Sequence, residues 1–244
     1  MSGPLVIGHA AGAGEAPANT LAGVRVCLEA ADAMEIDLRL CDGGVPVLLH
    51  DETLDRTTNL SGPVREATLA ELRGADAGGG EHVPSLDEVL DLVAGRITVM
   101  CELKVSPARP GDAPELLAAT VAAIRGHDAA GWTALHSFDH GLVERACTVA
   151  PEIPTALIAP ALARAELEAL CARAVAAKID GISLDHRVVD ARAACGAHEL
   201  GLRLWAWTAD APDDWLRLTD AGVEGIITNH PAALRAWGEG NSGG

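Results

Sequence analysis

Residues 34–51 read MEIDLRLCDGGVPVLLHD, two apolar runs joined at Asp42-Gly43. Each run is short, rich in Val, Leu and Ile, and bounded by turn residues, so each reads as a strand. Asp-Gly between them suits a two-residue type I′ turn. With Asp42 and Gly43 as the turn, Cys41 is expected opposite Gly44, Asp37 opposite Leu48, and Glu35 opposite His50. Directly opposed residues share a face of the sheet, as do residues i and i+2. Glu35, Asp37 and His50 are therefore expected on one face, an arrangement that a one-residue change of register would undo.

Outward from this hairpin, short strand-like runs alternate with Ala/Leu/Glu-rich helical patterns. Strands are expected at Leu5–His9, Met34–Leu40, Ile97–Lys104, Thr133–Ser137, Thr155–Ile158, Gly181–Leu184, Leu202–Thr208 and Gly225–Thr228. Helices are expected at Thr20–Ala31, Ser85–Leu92, Ala113–Arg125, His140–Val149, Ala163–Ala177, Asp190–Leu200, Pro212–Ala221 and Pro231–Trp237. Asn19 or Thr20 caps the first, Ser85 with Glu88 forms a capping box at the second, and Gly201 and Gly222 close two others. Eight such units in 244 residues predict an α/β fold, a (β/α)8 TIM barrel with an extra β-hairpin after strand two. A doubly wound sheet is the alternative, but it rarely uses eight regular units. GAGEA (residues 12–16) after the first strand also lacks the third glycine of a dinucleotide-binding turn. One domain is expected over residues 1–238, with a disordered tail at 239–244.

The composition is that of a globular chain, 49% hydrophobic and 22% charged, and with one Phe and no Tyr its core is expected to be aliphatic. A net charge of −17 repels phosphate backbones and anionic membranes, which argues against nucleic-acid binding. A phosphate-bearing substrate needs a local cation to overcome that field, which a divalent metal would supply. Cysteines 27, 41, 101, 147, 171 and 195 form no CxxC or zinc spacing and read as small buried hydrophobes in a reducing compartment. With no basic-then-apolar leader and no apolar run of membrane-spanning length, a cytoplasmic location is expected.

In a barrel, chemistry sits at the C-terminal ends of the strands. There the sequence places His9, then Glu35 and Asp37 with His50 on the hairpin return, then Glu102 and Lys104. Further round come LHSFD, SLDH, WAWTAD and ITNHP. Each carboxylate alone reads as half of a salt bridge, and each histidine alone as structural. Three carboxylates and two histidines on neighbouring strands at one end are a different matter. Three buried carboxylates need a cation, and oxygen ligands favour Mg²⁺ or Ca²⁺, with Mn²⁺ as a third option.

At these residues the chain resembles the glycerophosphodiester phosphodiesterase family, a metal-dependent TIM-barrel group. The matching stretches are EIDLRLCDGGVPVLLHDETLDRTTN (35–59), CELK (101–104), HSFDHGLVERACTVAPEIP (136–154), WAWTAD (205–210) and GIITNHP (225–231), collinear across nearly the whole chain. The resemblance implies that Glu35, Asp37 and Glu102 hold one divalent cation and that His9 and His50 are the acid/base pair. It also implies that Lys104 contacts phosphate and that Trp207 walls the substrate pocket. The expected reaction is hydrolysis of a small-molecule phosphodiester to glycerol phosphate and an alcohol. Alternatives are a repurposed barrel acting on another phosphate or pyrophosphate ester by elimination or cyclisation, and an inactive binding barrel. The chain departs from the family at its opening, GHAAGAGEAPANT (8–20), where Ala10 replaces arginine, Ala11 glycine and Ala18 glutamate, and Asn229 stands where the last strand usually has aspartate. Loss of the arginine and the glutamate together implies that they normally pair. The loop from Arg56 to Glu81, with its DAGGGEHVP run, is expected to be mobile and exposed.

Overall fold

The computed structural model describes residues 3–241. Its strands are β1 Leu5–Gly8, β2 Ala33–Leu40, β3 Pro46–Leu48, β4 Thr98–Leu103, β5 Thr133–Ser137, β6 Thr155–Ala159, β7 Gly181–Asp185, β8 Arg203–Trp207 and β9 Gly225–Thr228. Its α-helices are α1 Leu21–Ala30, α2 Leu69–Gly74, α3 Leu86–Val93, α4 Asp112–Gly126, α5 His140–Val149, α6 Arg164–Ala176, α7 Ala191–Glu199, α8 Pro212–Ala221 and α9 Pro231–Asn241. Eight strands, all but β3, pair in parallel round a ring that closes between β1 and β2, and β3 is added antiparallel to β2. This is the TIM barrel with its extra hairpin. The caps at Thr20 and at Ser85 with Glu88 form as the sequence indicates, and Gly222 ends α8 in the left-handed conformation.

Between the strands and the helices lie two large apolar clusters, one around β2, β4 and α4 and one around β7, β8 and α8. Inside the ring, Ile7, Met100, Ala156 and Ile227 pack with Trp205. Trp205 fits because Gly181 and Gly225 flank it on the adjacent strands, where a Cβ would run into the indole ring. The core is thus aliphatic except for Trp205 and Trp215, which the scarcity of Phe and Tyr does not reveal.

The hairpin departs from expectation by one residue. Leu38 pairs with Leu48 and Leu40 with Pro46, so Asp37 does not face Leu48. The connection is the three-residue turn Asp42-Gly43-Gly44, closed by Cys41 N–H to the Val45 carbonyl, with both glycines at positive φ (80° and 76°). Two consecutive glycines allow two left-handed residues in succession, which a two-residue reading of Asp-Gly leaves out. In the observed register Leu48 enters the main core, while Val47 and Leu49 enter a second, smaller core.

That smaller core corrects the reading of the loop that follows. Val47, Leu49, Leu54, Val64, Leu72 and Val83 pack together, and α2 starts with a Thr68/Glu71 capping box. The segment is a packed cap over the hairpin, and Gly78–Gly80 remain exposed as expected. Cys27, Cys41, Cys101 and Cys171 are buried, but Cys147 is half-buried and Cys195 exposed on α7, against the expectation for all six. Helix α9 runs to Asn241, into the stretch expected to be disordered, whereas 242–244 lie outside the described residues. Among the described residues no helix is long and apolar enough to cross a membrane.

Candidate active site

The β2–β4 register sets Asp37 beside Glu102, and alternation along β2 adds Glu35 to the same inward face. One oxygen from each of the three buried carboxylates lies within 4.8 Å of the others. Asn19, at φ 57°, turns inward and clamps Asp37 twice: Nδ2 donates to Oδ2 at 2.7 Å, and Oδ1 accepts from the Asp37 N–H at 3.1 Å. The Ala10 N–H donates to Glu35 Oε2 at 2.9 Å. Lys104 Nζ pairs with Asp37 Oδ1 at 2.9 Å and with Glu102 Oε1 at 2.7 Å.

One ammonium does not balance three carboxylates. Burial, with Asp37 and Glu102 nearby, pushes the Glu35 carboxyl well above the usual range, and burial also raises Glu102 against the pull of Lys104. Burial disfavours charge on Asp37 as well, but Lys104 and the Asn19 amide together hold it below the usual range. Glu35 Oε1 is buried without a hydrogen-bond donor. A buried orphan oxygen in an all-carboxylate set, short of positive charge, fits a hard divalent cation.

His9 and His50 line one cavity of about 260 Å³ together with Glu35, Glu102 and Lys104. His9 Nδ1 lies 2.8 Å from Asn229 Oδ1. Asn229 Nδ2 donates to Asp210 Oδ2 at 2.7 Å, and Asp210 Oδ1 accepts from the Asn229 N–H and the Thr228 hydroxyl. A carboxylate only accepts, so the Asn229 amide is oriented with its oxygen toward His9; His9 then carries its proton on Nδ1 and keeps a lone pair on Nε2. His50, with its side chain 52% exposed, arrives differently. It lies beyond the end of β3, its carbonyl is held by Arg39 Nε at 2.9 Å, and its Nδ1 meets Asp51 Oδ1 at 2.8 Å. Hydrogen bonds from Arg56 hold the Asp51 carboxyl well below the usual range, so His50 donates to an anion. The one-residue shift therefore does not remove His50 from the site: the chain leaves the strand before the alternation of faces would decide its direction.

Residues 9–233 match the profile of the glycerophosphoryl diester phosphodiesterase family. The chain belongs to this family. It is therefore a phosphoric diester hydrolase by class. It is 32% identical to a glycerophosphodiester phosphodiesterase of Caldanaerobacter subterraneus over 94% of this chain and 96% of that one. A candidate glycerophosphoryl diester phosphodiesterase of Silicibacter pomeroyi superposes with a TM-score of 0.91 at 30% identity, over 99% of this chain and 95% of that one. A phosphodiesterase of Oleispira antarctica, solved with the product sn-glycerol-3-phosphate, superposes at 0.86 with 25% identity, over 96% of each chain.

Within this family frame, all seven residues singled out from the sequence lie at the C-terminal mouth of the barrel. Six of them, His9, Glu35, His50, Glu102, Lys104 and Trp207, line the 260 Å³ cavity, and Asp37 lines the adjoining cavity that shares His9 and His50. Trp207 donates from Nε1 to the Ser183 carbonyl at 3.1 Å and meets Phe138 edge-on, their ring centroids 5.6 Å apart. His136 was missed. It is 2% exposed, with neither ring nitrogen hydrogen-bonded and Nε2 3.9 Å from Glu35 Oε1. Burial and the Lys104 charge push it down to about 3, so it is neutral. Its signal lay in register: His136 is the β5 partner of Glu102 and faces the same way. Ala10 and Ala18, the two departures from the family opening, line a neighbouring cavity of about 480 Å³ with His9, His50 and Arg56.

Proposed function

We propose that this enzyme hydrolyses a glycerophosphodiester to glycerol phosphate and a free alcohol, with one divalent cation, Mg²⁺ or Ca²⁺, held by Glu35, Asp37 and Glu102. The observation that carries the reading is the buried carboxylate triad with its orphaned Glu35 oxygen, flanked by two differently partnered histidines. When bound, the cation supplies Lewis acidity that offsets charge on the phosphoryl oxygens. The protein's own groups do the rest. His9 Nε2, left with its lone pair by Asn229, accepts the proton of the attacking water. His50, whose Nδ1–H is met by the Asp51 carboxylate, is suited to hold a second proton on Nε2 and give it to the departing alcohol oxygen. Lys104 adds fixed positive charge beside the phosphoryl group, and Trp207 with Phe138 forms an apolar wall for the glycerol carbons. The names of the similar proteins support the substrate class. Six free cysteines, four of them buried, support a cytoplasmic setting.

The test is a panel of glycerophosphodiesters assayed in chelator and then in Mg²⁺, Ca²⁺ or Mn²⁺. Glycerol phosphate and alcohol should appear in equal amounts and only with a cation present. His9→Ala and His50→Ala should each cost about 10²- to 10⁴-fold in kcat. Full activity in chelator, or in His50→Ala, would sink the assignment.

A further inference from the structure

Glu35, Asp37 and Arg39 follow one another along one face of β2, so Arg39 stands one step nearer the barrel mouth than the triad. Its neighbour on the adjacent strand is Lys104, whose N–H donates to the Leu38 carbonyl at 3.1 Å. The two cations are engaged differently: Lys104 pairs with Asp37 and Glu102, whereas Arg39 has only its Nε in a hydrogen bond, to the His50 carbonyl. Among the described residues Arg39 makes no ion pair, although it is half-buried and the chain carries 35 acidic residues against 18 Lys and Arg.

The guanidinium borders a cavity of about 240 Å³, and Lys104 and Ser106 form another side of it. Lys104 also lines the catalytic cavity, so the two spaces meet at this lysine. The Ser106 hydroxyl is shielded from solvent without a hydrogen-bond partner. Arg65 and Arg109 border the same space but are committed to carboxylates, Arg65 to Asp112 and Glu115 and Arg109 to Glu66. Glu52, exposed at the rim, is the opposing charge. An arginine in no direct ion pair, with the charges of Glu52, Asp37, Asp51 and Glu102 near it, and a hydroxyl without a partner thus border one space, and a guanidinium fork matches a carboxylate or phosphate.

We propose that this cavity is a subsite for a second anionic group on the substrate, a carboxylate or phosphate carried by the alcohol that leaves, held by Arg39 and Ser106. The proposal rests on the phosphodiesterase reading and narrows it: diesters whose alcohol is itself anionic are the preferred substrates. Were Arg39 only an anchor for the His50 carbonyl, its loss would slow all diesters alike.

The test compares kcat/KM for three matched diesters of glycerol phosphate, whose alcohols are ethylene glycol, glycolate and 2-phosphoethanol. The native enzyme with its cation should prefer one or both anionic diesters to the neutral one by about tenfold or more, and the glycolate and phosphoethanol arms identify which oxyanion fits. Arg39→Gln should collapse that ratio, and Arg39→Lys, which keeps the charge without the fork, should retain only part of it. Ser106→Asp, which leaves the hold on His50 in place, should invert the ratio. Turnover without charge preference, or a ratio unchanged in Arg39→Gln and Ser106→Asp, overturns the subsite while leaving the phosphodiesterase reading intact. No turnover of any of the three diesters with Mg²⁺, Ca²⁺ or Mn²⁺ overturns both.

Discussion

Glu35 is the residue at which stability and function oppose each other. Its carboxyl is raised by burial and by Asp37 and Glu102, so the folded, cation-free protein keeps a proton that the unfolded chain releases near 4.5. Stability of the cation-free protein should therefore fall as pH rises from that value through the raised one, because the unfolded state binds fewer protons in that window. A cation needs the ionised carboxylate and competes with the same proton, so its affinity should fall as pH drops through the window. The rise in Tm produced by Mg²⁺ or Ca²⁺ should be larger at about pH 8 than at about pH 5.5. In Glu35→Gln the cation-free Tm should hold or increase, while the cation-induced rise and the activity disappear; differential scanning calorimetry reads both. Asp210 behaves in the opposite sense. Burial works against its charge, but the Asn229 N–H groups and the Thr228 hydroxyl hold it below 3.8, so its contribution is present above that value and lost only on further acidification. It stays ionised at neutral pH and keeps Asn229 oriented toward His9. Asp210→Ala should lower kcat by about tenfold to a hundredfold with a smaller change in KM, as measured by steady-state kinetics.

The hairpin shows what the sequence could and could not disclose about an element. Alternation of apolar strands with capped helices made the barrel legible, because each unit carries its own start and stop signals. Register was not legible, since Asp42-Gly43-Gly44 contains both a two-residue and a three-residue turn, and the choice depends on which core each side chain finds. On the sequence alone, His50 comes to the site by pairing with Glu35, which the observed register removes; His50 reaches the cavity all the same because it lies beyond the end of β3. His136 escaped notice because a lone histidine in LHSFD gains meaning only beside Glu102, a pairing between two strands. Deleting Gly44 would force the two-residue turn and slip β3 by one position. Leu48 would then leave the main core, and Val47 and Leu49 the smaller one. Urea denaturation should report a loss of about 3 kcal/mol or more, as for large core truncations. Gly43→Ala keeps the register and meets no atom within 4 Å, so it should cost only about 1–2 kcal/mol for its left-handed φ and leave the activity in place.

On the scale of the whole molecule, the substrate meets two fields. At the site Lys104 offsets one of three carboxylates and a bound divalent cation would offset the other two, bringing the loaded centre close to neutral; Arg56 beside it is spent on Asp51. The chain as a whole carries a net charge of −17, which repels any phosphodiester approaching from solution. The Debye length shrinks from about 30 Å at 0.01 M salt to about 10 Å at 0.1 M, so salt removes the long-range repulsion before it weakens contacts inside the cavity. For the ethylene glycol diester, kcat/KM should therefore rise by about a factor of two or more between about 0.01 M and 0.2 M KCl at saturating cation, with kcat changing less than KM. A fall over that range would mean that Arg39, Lys104 and Arg56 steer the substrate more strongly than the surrounding acidic surface repels it. The glycolate diester separates the two effects. Its additional charge steepens the repulsive rise at low salt, whereas at high salt its contact with Arg39 is screened and the preference over the neutral diester should narrow.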